Sequence, residues 1–175
     1  MKLVSIAFLI ATLAVTGCGK KDKDEGGGEG AAKTAGGGGG SDKAAAAGPV
    51  KLAKLGLEAD APAGSKVGDG PLGDGAMVQG PDLVVAVEEA SDMTPADVAA
   101  AKEDADMYSP AKWTEVPVDN GYLVTFENTG GMGTNYWVKS RLDIGGKAYT
   151  CDTTASSAVQ QANAVAFCKS LRAAQ

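Results

Sequence analysis

Three cysteines carry most of the reactive chemistry open to this chain: Cys18, Cys151 and Cys168. A thiol can take a lipid by thioether, pair with a second thiol, ligate a metal or attack a substrate. The last two usually lean on histidine, and the 175 residues contain none. Its absence removes the Ser-His-Asp and Cys-His mechanisms and the commonest ligand of transition metals. The other polar groups offer less. Glu88 and Glu89 are adjacent in an apolar run, so a strand points them to opposite faces, which is poor geometry for shared acid–base work. The "GDG" triplets at 68–70 and 73–75 are interrupted by Pro71 and Leu72 and lack the distal glutamate of a calcium loop; they read as turns. The glycine run 36–40 has neither the lysine nor the hydroxyl of a phosphate loop. Glu103, Asp104 and Asp106 read as the solvated side of a helix. No catalytic residue, cofactor site or metal site is expected.

The first cysteine is placed by what precedes it. After Lys2, the stretch "LVSIAFLIATLAVT" at 3–16 is apolar for about 14 residues. A helix needs about 20 to cross a bilayer, so 1–17 reads as a signal peptide. Its end, Val15-Thr16-Gly17-Cys18, resembles a bacterial lipobox: an aliphatic residue, two small ones, then cysteine. The resemblance implies cleavage between Gly17 and Cys18, a diacylglyceryl thioether on Cys18 and acylation of its new amine. Each buried CH₂ of such chains adds about 0.8 kcal/mol, so several chains anchor firmly to a membrane. The alternative is a soluble secreted protein with an incidental cysteine. Gly19 follows, where lipoproteins kept at the inner membrane often carry aspartate; this favours the outer membrane, facing the periplasm.

Residues 18–48 then form a spacer. Beyond Cys18, the segment "GKKDKDEGGGEGAAKTAGGGGGSDKAAAAG" has no aromatic or branched aliphatic side chain, so it cannot bury enough surface to offset the entropy of ordering. As a random coil it spans about 30 Å. The formal charge of the whole chain is -6. Nucleic-acid binding is excluded on that ground, because it needs a concentrated basic surface.

Residues 49–175 are long enough for one core. Val50–Leu57 reads as a first strand, and "DLVVAVEE" at 82–89 as a largely buried one. A helix is marked by "MTPADV" at 93–98, with Thr94 as cap and Pro95 in the first turn, running to about Met107. Strands at 112–118 and 122–128 flank Asp119-Asn120-Gly121. A three-residue loop there puts Thr114, Val116 and Val118 on one face with Tyr122, Val124 and Phe126. "TGGMG" at 129–133 reads as a loop. A strand at 134–144 turns at Gly145-Gly146 into 147–151. A two-residue turn sets Ile144 opposite Lys147, Leu142 opposite Tyr149 and Ser140 opposite Cys151. Cys151 then shares the core face with Tyr136, Val138, Leu142 and Tyr149. A last helix starts near Ser156 or Ser157, with Ser157 and Gln160 as a capping box, and aligns Ala164, Phe167, Cys168 and Leu171 on one stripe.

Two consequences follow. Lipidation of Cys18 leaves two cysteines in an oxidising compartment, one on each of two faces that must pack together, and a Cys151–Cys168 disulfide is expected. On the opposite face of strand 134–144, Trp137, Lys139 and Arg141 alternate in an otherwise acidic domain. An aromatic beside two cations suits an anionic ligand or an acidic protein partner in the periplasm.

An early strand leading into "DAPAG" at 60–64, a valine-rich strand, a helix, an antiparallel meander and a C-terminal helix ending "CKSLR" follow in that order. This arrangement resembles the Mog1/PsbP/DcrB-like proteins over residues 50–173. The resemblance implies an α+β domain, an antiparallel sheet flanked by helices as an α/β/α sandwich, with a binding or accessory role and no catalysis. The second reading is a small-molecule carrier with a pocket between sheet and helices near Trp113, Met132 and Tyr149. An enzyme is the weakest of the three.

Overall fold

The computed structural model describes residues 48–175. The expected leader, the processing site at Gly17 and Cys18 and the spacer to residue 47 lie outside the described residues.

The segment expected as one strand at 50–57 is a hairpin. β1 (Gly48–Leu52) and β2 (Leu57–Ala61) are joined by a 3-10 turn at Ala53–Leu55. Gly56 closes that turn at φ +64, a left-handed conformation that costs a glycine little. The alternation of Leu57, Ala59 and Ala61 with Glu58 and Asp60 buries one face of β2 and exposes the other.

A larger sheet holds seven strands: β3 (Lys66–Asp69), β4 (Ala76–Gly80), β5 (Leu83–Glu89), β6 (Ala111–Val116), β7 (Gly121–Gly130), β8 (Gly133–Ile144) and β9 (Lys147–Ala155). Their order is β3-β4-β5-β9-β8-β7-β6 and every pairing is antiparallel. Part of the first "GDG" is therefore strand, and the turn proper is 70–75. Two helices complete the described residues: α1 (Val98–Ala105) lies between β5 and β6, and α2 (Ala158–Lys169) follows β9. The α1 connection carries the chain from the middle of the sheet to its far edge, and the meander β6 to β9 brings it back beside β5. A short final strand, β10 (Arg172–Ala173), pairs with β2. Arg172 secures it through Glu58 at 2.9 Å and Asp60 at 3.2 Å. The class is α+β: mostly antiparallel sheet with two helices.

The main core lies on one face of the large sheet. Val85, Val87, Val138, Leu142 and Cys151 meet Ala164, Phe167 and Cys168 of α2 and Leu52, Leu57 and Ala59 of the small sheet. Phe167 is 1% exposed, and burying such a ring contributes about 1.5–3 kcal/mol. α2 begins as its sequence indicates: Ser157 Oγ accepts from the Gln160 N–H at 3.2 Å. The Gln160 side chain reaches back to the Ser156 N–H at 3.0 Å, one residue earlier than a standard capping box.

The β8–β9 register is the one that the two-residue turn sets, with Ile144 opposite Lys147 and Leu142 opposite Tyr149. The β6–β7 register is not. Val116 lies opposite Leu123 and Glu115 opposite Val124, so Val116 packs on the main core and does not share the face of Tyr122 and Val124. The connection is longer than a tight turn, and Asn120 ties it to the neighbouring β8–β9 hairpin: its side-chain amide donates to the Asp143 carbonyl at 2.6 Å, and the Asp143 N–H donates to the Asn120 carbonyl at 2.9 Å. Gly121, at φ +118, enters β7 where a Cβ would run into the Arg141 carbonyl oxygen. That long-range contact selects the register, and no local turn rule contains it.

Candidate functional site

The second face of the large sheet carries α1 and the exposed chemistry. Tyr122, Val124 and Phe126 of β7 stand beside Arg141, Lys139 and Trp137 of β8. Ala101 packs on Tyr122 and Val124, with Val98 and Trp113 at the edge. α1 is capped by Asp97, whose carboxylate accepts from the Ala100 N–H at 2.9 Å. The expected cap, Thr94, instead closes the preceding turn: its hydroxyl accepts from the Ser91 N–H at 3.0 Å, and its own N–H donates to the Ser91 carbonyl at 3.0 Å. Pro95 therefore sits before the helix, where its carbonyl accepts from the Tyr122 hydroxyl at 3.1 Å. This bond pins the 91–97 loop to the sheet. Burial pushes the Tyr122 phenol up to about 12, and the negative charge of Asp152 adds to the effect.

A 3-10 turn at Asp106–Tyr108 ends α1 and lays Tyr108 over Trp137, with ring centroids 4.6 Å apart. Trp137 stacks on Phe126 at 5.5 Å and Phe126 on Trp113 at 5.6 Å. The Trp137 indole N–H donates to Asn128 at 2.8 Å. The Trp113 Nε1 is the buried side-chain nitrogen without a partner among the described residues.

Between this layer and the sheet lies a cleft of about 260 Å³. The sheet supplies its floor, with Lys139, Thr150 and Asp152; the side chains of Tyr108, Tyr122 and Phe126 also line it, and the exposed Leu72 and Met93 form its lips. Lys139 and Asp152 pair at 3.2 Å, and the Ser140 N–H donates to Asp152 at 2.9 Å. Burial nonetheless pushes the Asp152 carboxyl above the ordinary range, against the pull of Lys139 and of the Ser140 amide. Desolvation of a charge outweighs one partly exposed partner.

The residues singled out in the sequence divide as follows. Cys151 and Cys168 are joined as a disulfide with Cα atoms 5.7 Å apart, both sealed in the core. Cys18 and Gly17 lie outside the described residues. Trp137, Lys139 and Arg141 do share one face, but they differ in availability. Trp137 is half-buried under Tyr108, Lys139 is engaged by Asp152, and Arg141 makes no ion pair among the described residues. Trp113, Met132 and Tyr149 do not converge on a pocket. Met132 is the fully exposed tip of the β7–β8 hairpin, Tyr149 is buried on the opposite face with its hydroxyl toward the Leu55 carbonyl, and Trp113 sits beyond Phe126. The cleft that exists lies closer to β5 and β9.

Of its acids, Glu88 and Glu89 are set aside by strand alternation, yet both line the cleft, and Asp152 is not among the residues named. A signal for Asp152 was available: continuing the β8–β9 register by one residue from Ser140–Cys151 places Lys139 opposite Asp152. Among the described residues no cluster of three or more His, Cys, Asp or Glu side chains could hold a metal ion. No helix among them is long and apolar enough to cross a membrane. No protein-family model matches this chain, and no curated protein matches it significantly.

Proposed function

We propose that the chain is a lipoprotein of the bacterial cell envelope whose domain binds and does not catalyse. Cleavage after Gly17 frees Cys18 for lipidation, and the spacer lets a Mog1/PsbP-like domain reach from the outer membrane into the periplasm. The observation that carries this reading is the pairing of a lipobox cysteine with a buried Cys151–Cys168 bond, because such bonds form and persist in oxidising compartments. The surface offered to a periplasmic protein is the strip of Trp137, Lys139 and Arg141, with Arg141 as its accessible charge. Growth with a palmitate analogue carrying a click handle should label the wild-type protein, and Cys18→Ser should abolish both the label and the need for detergent. An unlabelled mature protein that washes from membranes in buffer defeats the proposal.

The cleft favours a second reading, a periplasmic small-molecule carrier. Native mass spectrometry of protein purified from its host should then show a retained adduct, lost on unfolding.

A further inference from the structure

The cleft has a charge imbalance that its own residues do not resolve. Its lining holds Glu88, Glu89, Asp104 and Asp152 against Lys139. Lys139 is taken by Asp152, and Glu89 has Lys147 at 3.0 Å, outside the cleft. Glu88 is half-buried and makes no ion pair among the described residues. Its polar contact is the Leu72 N–H, at 3.4 Å. The 70–75 loop holds it in place: Gly75 leaves no room for a side chain, since a Cβ there would come within 2.6 Å of Glu88 Cγ. A carboxylate held this way beside low-dielectric walls projects its field into the cavity.

A second cavity, of about 610 Å³, adjoins the first and shares Leu72, Glu88 and Glu89 with it. Asp74 also lines it; Lys54, the one cation in its lining, pairs with Asp69 at 2.8 Å. Two acid-lined cavities thus meet at Glu88. Their apolar lips are uncovered: Leu72, shared by both cavities, is 81% exposed, and Met93, on the first, 91%. Tyr108 and Tyr122 present ring surface inside, which favours an organic cation over a hydrated metal ion. The inner cavity lies near the lower end, about 300 Å³, of ordinary ligand pockets, so the occupant is slender.

We infer that the two cavities form one site for a linear aliphatic polyamine, with one ammonium at Glu88 in the first cavity, whose lining also carries Asp104, a second toward Asp74, and the methylene chain against Leu72 and Met93. The inference rests on the carrier reading and names its ligand class. Spermidine titrated into the full-length protein in detergent, by calorimetry at near-physiological salt, should bind one to one. Glu88→Gln should weaken it at least tenfold, whereas Glu103→Gln, on exposed α1 surface, should leave it unchanged. If Glu88→Gln melts abnormally, the rim variant Asp74→Asn/Asp104→Asn replaces it and should also weaken binding. Equal weakening by Glu88→Gln and Glu103→Gln would reduce the effect to bulk acidity and overturn the site. Binding of 1-hexanol but not of spermidine would overturn the polyamine and leave the carrier standing. If neither binds, both fall.

Discussion

Asp152 shows how one side chain can be read from two directions. From the sheet it is a paired acid, 3.2 Å from Lys139; from the solvent it is a desolvated one, and burial raises its carboxyl above the ordinary value of 3.8. A carboxyl raised on folding binds its proton more tightly in the folded state. Stability from this group is therefore full below 3.8 and falls as pH rises through the elevated folded value. Asp152→Asn deletes that slope. Urea midpoints of variant and wild type, measured from pH 3 to 7, should diverge in the variant's favour as pH rises and then run parallel; a constant difference would mean that Asp152 titrates normally. The strand alternation places Lys139 on the face away from Cys151, so half of this pair was legible. The raised carboxyl was not, because it depends on how closely α1 and its loop cover the floor.

At the scale of elements, α1 separates local signals from their outcome. Thr94, Pro95 and Asp97 form a strong start signal, yet the capping group is Asp97, and Thr94 serves a turn three residues earlier. Both placements satisfy the same cap rules; the Tyr122 hydroxyl on the Pro95 carbonyl keeps that segment out of the helix. Asp97→Ala should lower stability by about 1 kcal/mol and speed hydrogen exchange of the Ala100 amide. Thr94→Ala should leave that exchange rate unaltered, and matching rates would return the cap to Thr94. The β6–β7 hairpin teaches the same lesson. Maximising apolar residues on one face favours a three-residue loop, but the Gly121 approach to Arg141 and the Asn120–Asp143 bonds set another register.

For the molecule as a whole, the Cys151–Cys168 bond couples sheet to helix across 17 residues. Cross-linking a loop of this length stabilises by about 3 kcal/mol in the chain-entropy model. Cys151→Ala/Cys168→Ala should lose roughly that much in urea, and thiol titration of the denatured, unreduced wild type should detect neither cysteine. Strand alternation and helix spacing were enough for the β8–β9 register and for the stripe of Ala164, Phe167 and Cys168 on α2; Leu171, expected on that stripe, is buried but lies beyond the helix, which ends at Lys169. Both register and stripe depend only on a periodicity of two or 3.6 counted from a tight turn or a cap; the bond follows once those two faces pack together with a cysteine on each. Long-range packing set the second sheet, the order that puts β5 beside β9, and the cleft at Glu88. Those features come from residues distant in the chain and from loops with no repeating pattern, where burial and close approach select among conformations that local rules leave nearly equal.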